Sequence, residues 1–160
     1  MNKSRLLLIC IILGVHGEGL KEKIEGIIEN KAQKYALSLN STQKELFLAE
    51  ANLESKNLTR TRLVMSDQTT YSLLLDLLKE SFQSGEVSAT ATDYLINVLK
   101  EWPKVIQDAK DTALYDKLLK EFNGLSKADQ DTVNEIYPEL IKTLSSSYWN
   151  SLLMKLPFPR

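Results

Sequence analysis

The chain has 160 residues, with 20 Lys and Arg set against 21 Asp and Glu, one Cys and one His. A net charge of −1 argues against a nucleic-acid partner, which needs a concentrated basic surface. So few Cys and His leave no ordinary zinc, copper or iron site and no Ser–His or Cys–His nucleophile pair. Carboxylate-only chemistry such as glycoside hydrolysis is the formal exception. The inventory therefore points away from an enzyme and implies no cofactor.

The first seventeen residues, MNKSRLLLICIILGVHG, carry Lys3 and Arg5, then an apolar run from Leu6 to Val15, then small residues ending at Gly17. That order is the pattern of a secretory signal peptide, and ten apolar residues are too few to span a bilayer. Cleavage after Gly17 would leave 160 − 17 = 143 residues (18–160) with charge (20 − 2) − 21 = −3, and would remove both Cys10 and His16. The expectation is a secreted, extracellular domain of one core, stabilised by packing without disulfides.

The remaining sequence predicts an all-α domain of about seven helices, since no sustained alternation of the strand type occurs. A first helix from Leu20 places Ile24, Ile27, Ile28 and Tyr35 on one face, and Asn40 and Ser41 interrupt it. Thr42 and Glu45 have the spacing of a capping box for a second helix with Leu46, Phe47, Ala49 and Leu53. Residues 56–68 read as a loop or short helix around Leu63–Met65, with Ser66 or Asp67 placed to cap the next helix. That helix, near 69–82, holds Tyr71, Leu73, Leu74, Leu75, Leu77, Leu78 and Phe82, an apolar surface wider than one stripe. Ser84 and Gly85 end it.

A helix near 88–101 comes after them, with Tyr94, Leu95, Val98, Leu99 and Trp102. Pro103 is expected to break it and to open a new helix reaching Phe122, through Val105, Ile106, Ala109, Leu118 and Leu119. Gly124 is expected in the left-handed conformation, and Ser126 is the N-cap of a short helix carrying Val133, Ile136 and Tyr137. Pro138 suits the first turn of a last helix with Leu140, Ile141, Leu144, Tyr148 and Leu152.

The leucine-rich helix can be a central core element, and one of its sides can line an apolar cavity. On that second reading the lining residues are Phe47, Tyr71, Leu74, Leu78, Leu95, Val98, Leu99 and Ile106. The tail SYWNSLLMKLPFPR has the aromatic and apolar character of a segment that docks on the core or touches membranes transiently. Asn40-Ser41-Thr42 and Asn57-Leu58-Thr59 are glycosylation sequons.

Two stretches carry a resemblance. LSLNSTQKELFLAEA (37–51), through Leu39, Thr42, Lys44, Leu46 and Ala49, resembles a segment near the start of nematode fatty acid- and retinol-binding proteins. EFNGLSKADQDTVNEIYPELIKTLSSSYW (121–149), through Leu125, Ser126, Ala128, Tyr137, Pro138 and Leu140, is similar to the closing segment of that family. The resemblance implies a small helical protein enclosing an apolar cavity, and a carrier of fatty acids and retinol outside the cell. It brings no catalytic residue. The competing expectation is a secreted helical protein that binds another protein or a membrane without carrying lipid.

Overall fold

The computed structural model describes residues 19–51, 63–107, 112–138 and 140–145. Among them are seven α-helices and no strand: α1 (Leu20–Tyr35), α2 (Ser41–Ala51), α3 (Gln68–Ser84), α4 (Ala89–Gln107), α5 (Thr112–Asn123), α6 (Lys127–Ile136) and α7 (Leu140–Ser145). A 3₁₀ turn, Ala36–Ser38, closes α1, and residues 63–66 form one helical turn ahead of α3. The tail from 146 onward, including Tyr148, Leu152 and the rest of the aromatic segment, lies outside the described residues, as do Leu53, Asn57 and Ala109.

The α3–α4 pair forms the centre. α1 lies against α3, α2 covers the start of α3, and α5 and α6 flank α4. The five leucines at 73–78 are what this position requires. Leu74, Leu75, Leu77 and Leu78 are buried, and of the five only Leu73 is half-exposed.

The ends of the helices are set by side-chain caps. Asp67 accepts from the Thr69 and Thr70 amides at the start of α3 and from Gln43 Nε2 of α2 at 2.8 Å. For α2 the capping box lies two residues earlier than the Thr42/Glu45 frame. The Gln43 amide donates to Asn40 Oδ1 at 2.9 Å, and the Asn40 amide donates to Gln43 Oε1 at 3.2 Å. The chain leaves the 3₁₀ turn at Leu39 in extended geometry, so Asn40 is the first residue free to cap.

Ser126 caps α6 as expected, its Oγ accepting from the Asp129 amide at 3.1 Å. Ser88 caps α4 in the same way through the Ala91 amide, and both serine hydroxyls donate to the Asp129 carboxylate. One carboxylate thus joins the N-termini of two helices, where negative charge is favoured. Those hydrogen bonds, Ser88 first, hold the Asp129 carboxyl below its ordinary value of 3.8. Its contribution is therefore complete above that value and is lost as the pH falls through the lowered one.

Two glycines behave differently from the usual end-of-helix pattern. Gly124 does not take the left-handed conformation. Its amide reaches the carbonyls of Lys120 and Glu121, and the Leu125 amide reaches Phe122, so α5 winds down through tighter turns instead. After α3 the order is inverted. Val87 donates to the Phe82 carbonyl and Glu86 to that of Gln83, which is the Schellman arrangement, and the left-handed residue is Glu86 with φ 65°. Gly85 precedes it because a Cβ there would lie 2.9 Å from Ile24 Cγ1 and 3.2 Å from the Ser81 carbonyl oxygen. The glycine lets α1 approach, and Glu86 carries the backbone cost while pairing with Lys23 at 2.8 Å.

Pro138 comes after the end of α6. α7 begins two residues later, after the Leu140 amide bonds to the Tyr137 carbonyl at 3.1 Å. The largest departure from the sequence reading is at Pro103, which lies inside α4 and does not break it. The missing proline N–H would have bonded to the Leu99 carbonyl, four residues back. That carbonyl accepts from the Tyr71 hydroxyl of α3 instead. α5 is a separate helix from Thr112, so the expected span from Pro103 to Phe122 divides between α4 and α5.

Gly85→Ala is expected to cost about 1–3 kcal/mol, as overpacking against a fixed neighbour does. Glu86→Gly is expected to raise the melting temperature despite the lost pair with Lys23, since glycine adopts positive φ without strain. Thermal unfolding of both variants followed by circular dichroism checks the opposite signs. A stabilising Gly85→Ala would contradict the close approach of Ile24.

Candidate functional site

α4 presents Leu95, Val98, Leu99 and Trp102 at the i, i+3, i+4, i+7 spacing of a single stripe. Opposite stand Tyr137 and Leu140, from the corner between α6 and α7. These six residues line a void of about 10 Å³, at the lower limit of what admits one water. All six are buried, Trp102 and Tyr137 to within 1% of complete. The corner is built by Tyr137-Pro138. A residue before proline is pushed out of helical geometry, and Tyr137 has φ −128° and ψ 74°, which ends α6 and turns its ring inward. The ring meets Phe82 of α3 edge-on, with centroids 6.5 Å apart.

Tyr71 and Tyr137, both buried in this core, differ in one respect. Tyr71 spends its hydroxyl on the Leu99 carbonyl. The Tyr137 hydroxyl is buried with no hydrogen-bond partner. Burial raises the proton affinity of both, and Tyr71 raises that of Tyr137 further, so both rings are neutral donors throughout the physiological range.

Of the residues expected to line a cavity, Phe47, Tyr71, Leu74, Leu78, Leu95, Val98 and Leu99 are all buried in one continuous core. Leu95, Val98 and Leu99 reach the void. Ile106 lies in α4, but its side chain is outside the described residues. Sequence reasoning missed Trp102, Tyr137 and Leu140 as wall residues. Trp102 continues the stripe of Leu95 and was signalled by that spacing. The corner residues had only the Tyr-Pro dipeptide to mark them.

Other polar groupings are committed to structure. A wide hollow of about 600 Å³ opens at the starts of α2 and α3, lined by Asn40, Gln43, Asp67, Leu46, Leu63 and neighbouring residues. Its Asn40, Gln43 and Asp67 side chains are engaged in the caps described above. Asn40 is exposed there, and its cap uses only Oδ1, so Nδ2 is not consumed by it. Between α1 and α3, Lys31 Nζ lies 2.6 Å from Glu80 Oε1 and 3.0 Å from Ser84 Oγ, and the Tyr35 hydroxyl donates to Glu80 Oε2. Burial, then Glu80, push the Tyr35 hydroxyl up to about 12, while Lys31 and Tyr35 hold the Glu80 carboxyl down. Neither group titrates near neutrality, and the cluster clasps two helices.

Among the described residues no group of three or more His, Cys, Asp or Glu could hold a metal ion, and no helix is long and apolar enough to cross a membrane. Compared with protein-family models, curated proteins and solved structures, the chain matches none.

Tyr137→Phe removes a buried hydroxyl that has no partner. It is expected to stabilise the protein by about 1 kcal/mol, a rise of roughly 2–4 °C in melting temperature for a chain of this size. A fall of that size in differential scanning calorimetry would mean that the hydroxyl already makes a bond worth keeping.

Proposed function

We propose that the protein is a secreted, non-catalytic carrier of a long-chain apolar ligand, a fatty acid or retinol, taken up between α4 and the α6–α7 corner. The observation that carries this reading is the apolar void walled by the α4 stripe, Tyr137 and Leu140. The resemblance at 37–51 and 121–149 supports it, and the signal-like first seventeen residues support secretion.

At about 10 Å³ the void holds no acyl chain, and ligand sites measure roughly 300–1,000 Å³. Binding on this reading separates the corner from α4. The corner is the cheapest place to do so. Over its described residues α7 packs chiefly on α5, and it is joined to α6 through the turn at Pro138. An entering chain offsets the lost contacts by about 0.8 kcal/mol for each methylene buried.

The test uses full-length protein secreted into culture medium. An environment-sensitive fluorescent fatty acid is expected to shift to the blue on mixing, with affinity of roughly micromolar or tighter, and oleate or retinol is expected to displace it. Organic extraction and mass spectrometry of the same preparation read any lipid carried from the cell, and its N-terminus is expected at Glu18. A fluorophore spectrum unchanged from water at tens of micromolar protein would replace the carrier reading with that of a helical protein-interaction domain. An N-terminus at Met1 would remove secretion from the proposal.

A further inference from the structure

We propose that Asn40 is an N-glycosylation site, and that its side chain carries a glycan and caps α2 at the same time. The inference goes beyond lipid carriage and rests only on the secretion part of the reading above, because sugar of this kind is attached in the secretory route.

Asn40-Ser41-Thr42 is the N-x-S/T acceptor pattern with no proline in the middle. The pattern by itself is common, so its surroundings decide. Asn40, Ser41 and Thr42 are all exposed. All three line the open hollow of about 600 Å³ at the starts of α2 and α3. A bulky, hydrated substituent there displaces no packed side chain.

A cap and a glycan would compete if both needed the same atom. The Gln43 amide donates to Asn40 Oδ1 at 2.9 Å, and the Asn40 amide donates to Gln43 Oε1 at 3.2 Å. Gln43 Nε2 donates in turn to Asp67 Oδ2 at 2.8 Å, which ties this cap to the start of α3. Asn40 Nδ2 takes part in none of these bonds. In the attachment step Nδ2 attacks C1 of the first N-acetylglucosamine of a lipid diphosphate-linked oligosaccharide. An N–C bond forms, the bond from C1 to the diphosphate oxygen breaks, and the lipid diphosphate leaves with the electron pair. Nδ2 gives up one of its two protons to a base of the transferase. The product keeps Oδ1 and one N–H, so the Gln43 amide retains its acceptor. The hydroxyl that the pattern requires at Thr42 makes no hydrogen bond among the described residues.

The test uses the full-length chain secreted by cultured insect cells, unfolded and digested with trypsin. Cleavage after Lys34 and Lys44 isolates residues 35–44, in which Asn40 is the only asparagine, and cleavage after Lys56 and Arg60 isolates 57–60 with Asn57. Mass spectrometry is expected to find 35–44 bearing N-acetylhexosamine and hexose in most molecules. A peptide N-glycosidase in heavy-oxygen water is expected to return that peptide with Asp in place of Asn and one heavy oxygen. Asn40→Asp keeps the capping oxygen and loses Nδ2, while Thr42→Ala keeps Asn40 and loses the hydroxyl. Both are expected to lose the glycan from 35–44 completely with unchanged circular dichroism, and Thr42→Ser is expected to keep it. Secreted protein that begins at Glu18 and yields 35–44 unmodified, with or without sugar on 57–60, would overturn the inference and leave secretion standing. Sugar retained on 35–44 in Thr42→Ala would overturn it too, because the attachment would then not follow the acceptor pattern. A chain held in the cell with its N-terminus at Met1 would remove secretion, and the modification falls with it.

Discussion

A proline inside a long helix leaves a carbonyl without its donor, and here the Tyr71 hydroxyl supplies one from the neighbouring helix. The bond runs from near the start of α3 to Leu99 late in α4, across 28 residues of sequence. It does two things at once. It lets α4 continue past Pro103, so that Trp102 stays on the same stripe as Leu95, Val98 and Leu99. It also fixes the register of α3 against α4, the pair around which the other helices are arranged. Without that donor, a buried carbonyl would lose its hydration uncompensated, at a cost of about 1–3 kcal/mol.

The rest of the molecule extends this centre outward by a small number of specific contacts. Gly85 admits Ile24 and brings α1 onto the end of α3. The Lys31–Glu80–Tyr35 clasp holds the other end of α1 to the same helix. At the opposite edge, Tyr94 donates to the Leu118 carbonyl at 3.1 Å and Asn97 to Glu121 at 2.8 Å, which ties α5 to α4. Asp129 then links the starts of α4 and α6. Glu135 closes the circle by accepting from the Leu20 amide at 3.2 Å, a carboxylate standing at the N-terminus of α1, where Gly19 at φ 133° leaves room for it. Among the described residues the α6–α7 corner shows apolar packing and a buried hydroxyl without a partner. The proposed site lies there for that reason.

What the sequence made legible was local. Apolar spacing located the helices, Ser126 was a recognisable cap, and Asp67 was one of two candidates with Ser66, because a cap needs only its own next turn. Two frames of the same capping pattern overlap at 40–45, and spacing alone does not choose between Asn40/Gln43 and Thr42/Glu45. The choice depends on where the preceding 3₁₀ turn releases the chain. Pro103 misled the local reading for a related reason: the group that compensates it lies on another helix. Gly85 owes its identity to Ile24, a contact between distant segments, while the left-handed position falls on Glu86. At the site, Leu95, Val98 and Leu99 were readable from periodicity. Trp102 was lost to the expected break, and Tyr137 and Leu140 come from a corner whose direction only packing determines.

The dependence of α4 on a donor from α3 is tested most directly by a double-mutant cycle on Tyr71→Phe and Pro103→Ala, with stability read from urea unfolding. With Pro103 in place, Tyr71→Phe is expected to cost about 1–3 kcal/mol. In the Pro103→Ala background the backbone supplies its own N–H to Leu99. There the same substitution is expected to cost less than about 0.5 kcal/mol, a coupling of about 1 kcal/mol or more. Equal costs of Tyr71→Phe in the two backgrounds would contradict the account, because the hydroxyl would then have some role other than replacing the donor that proline lacks.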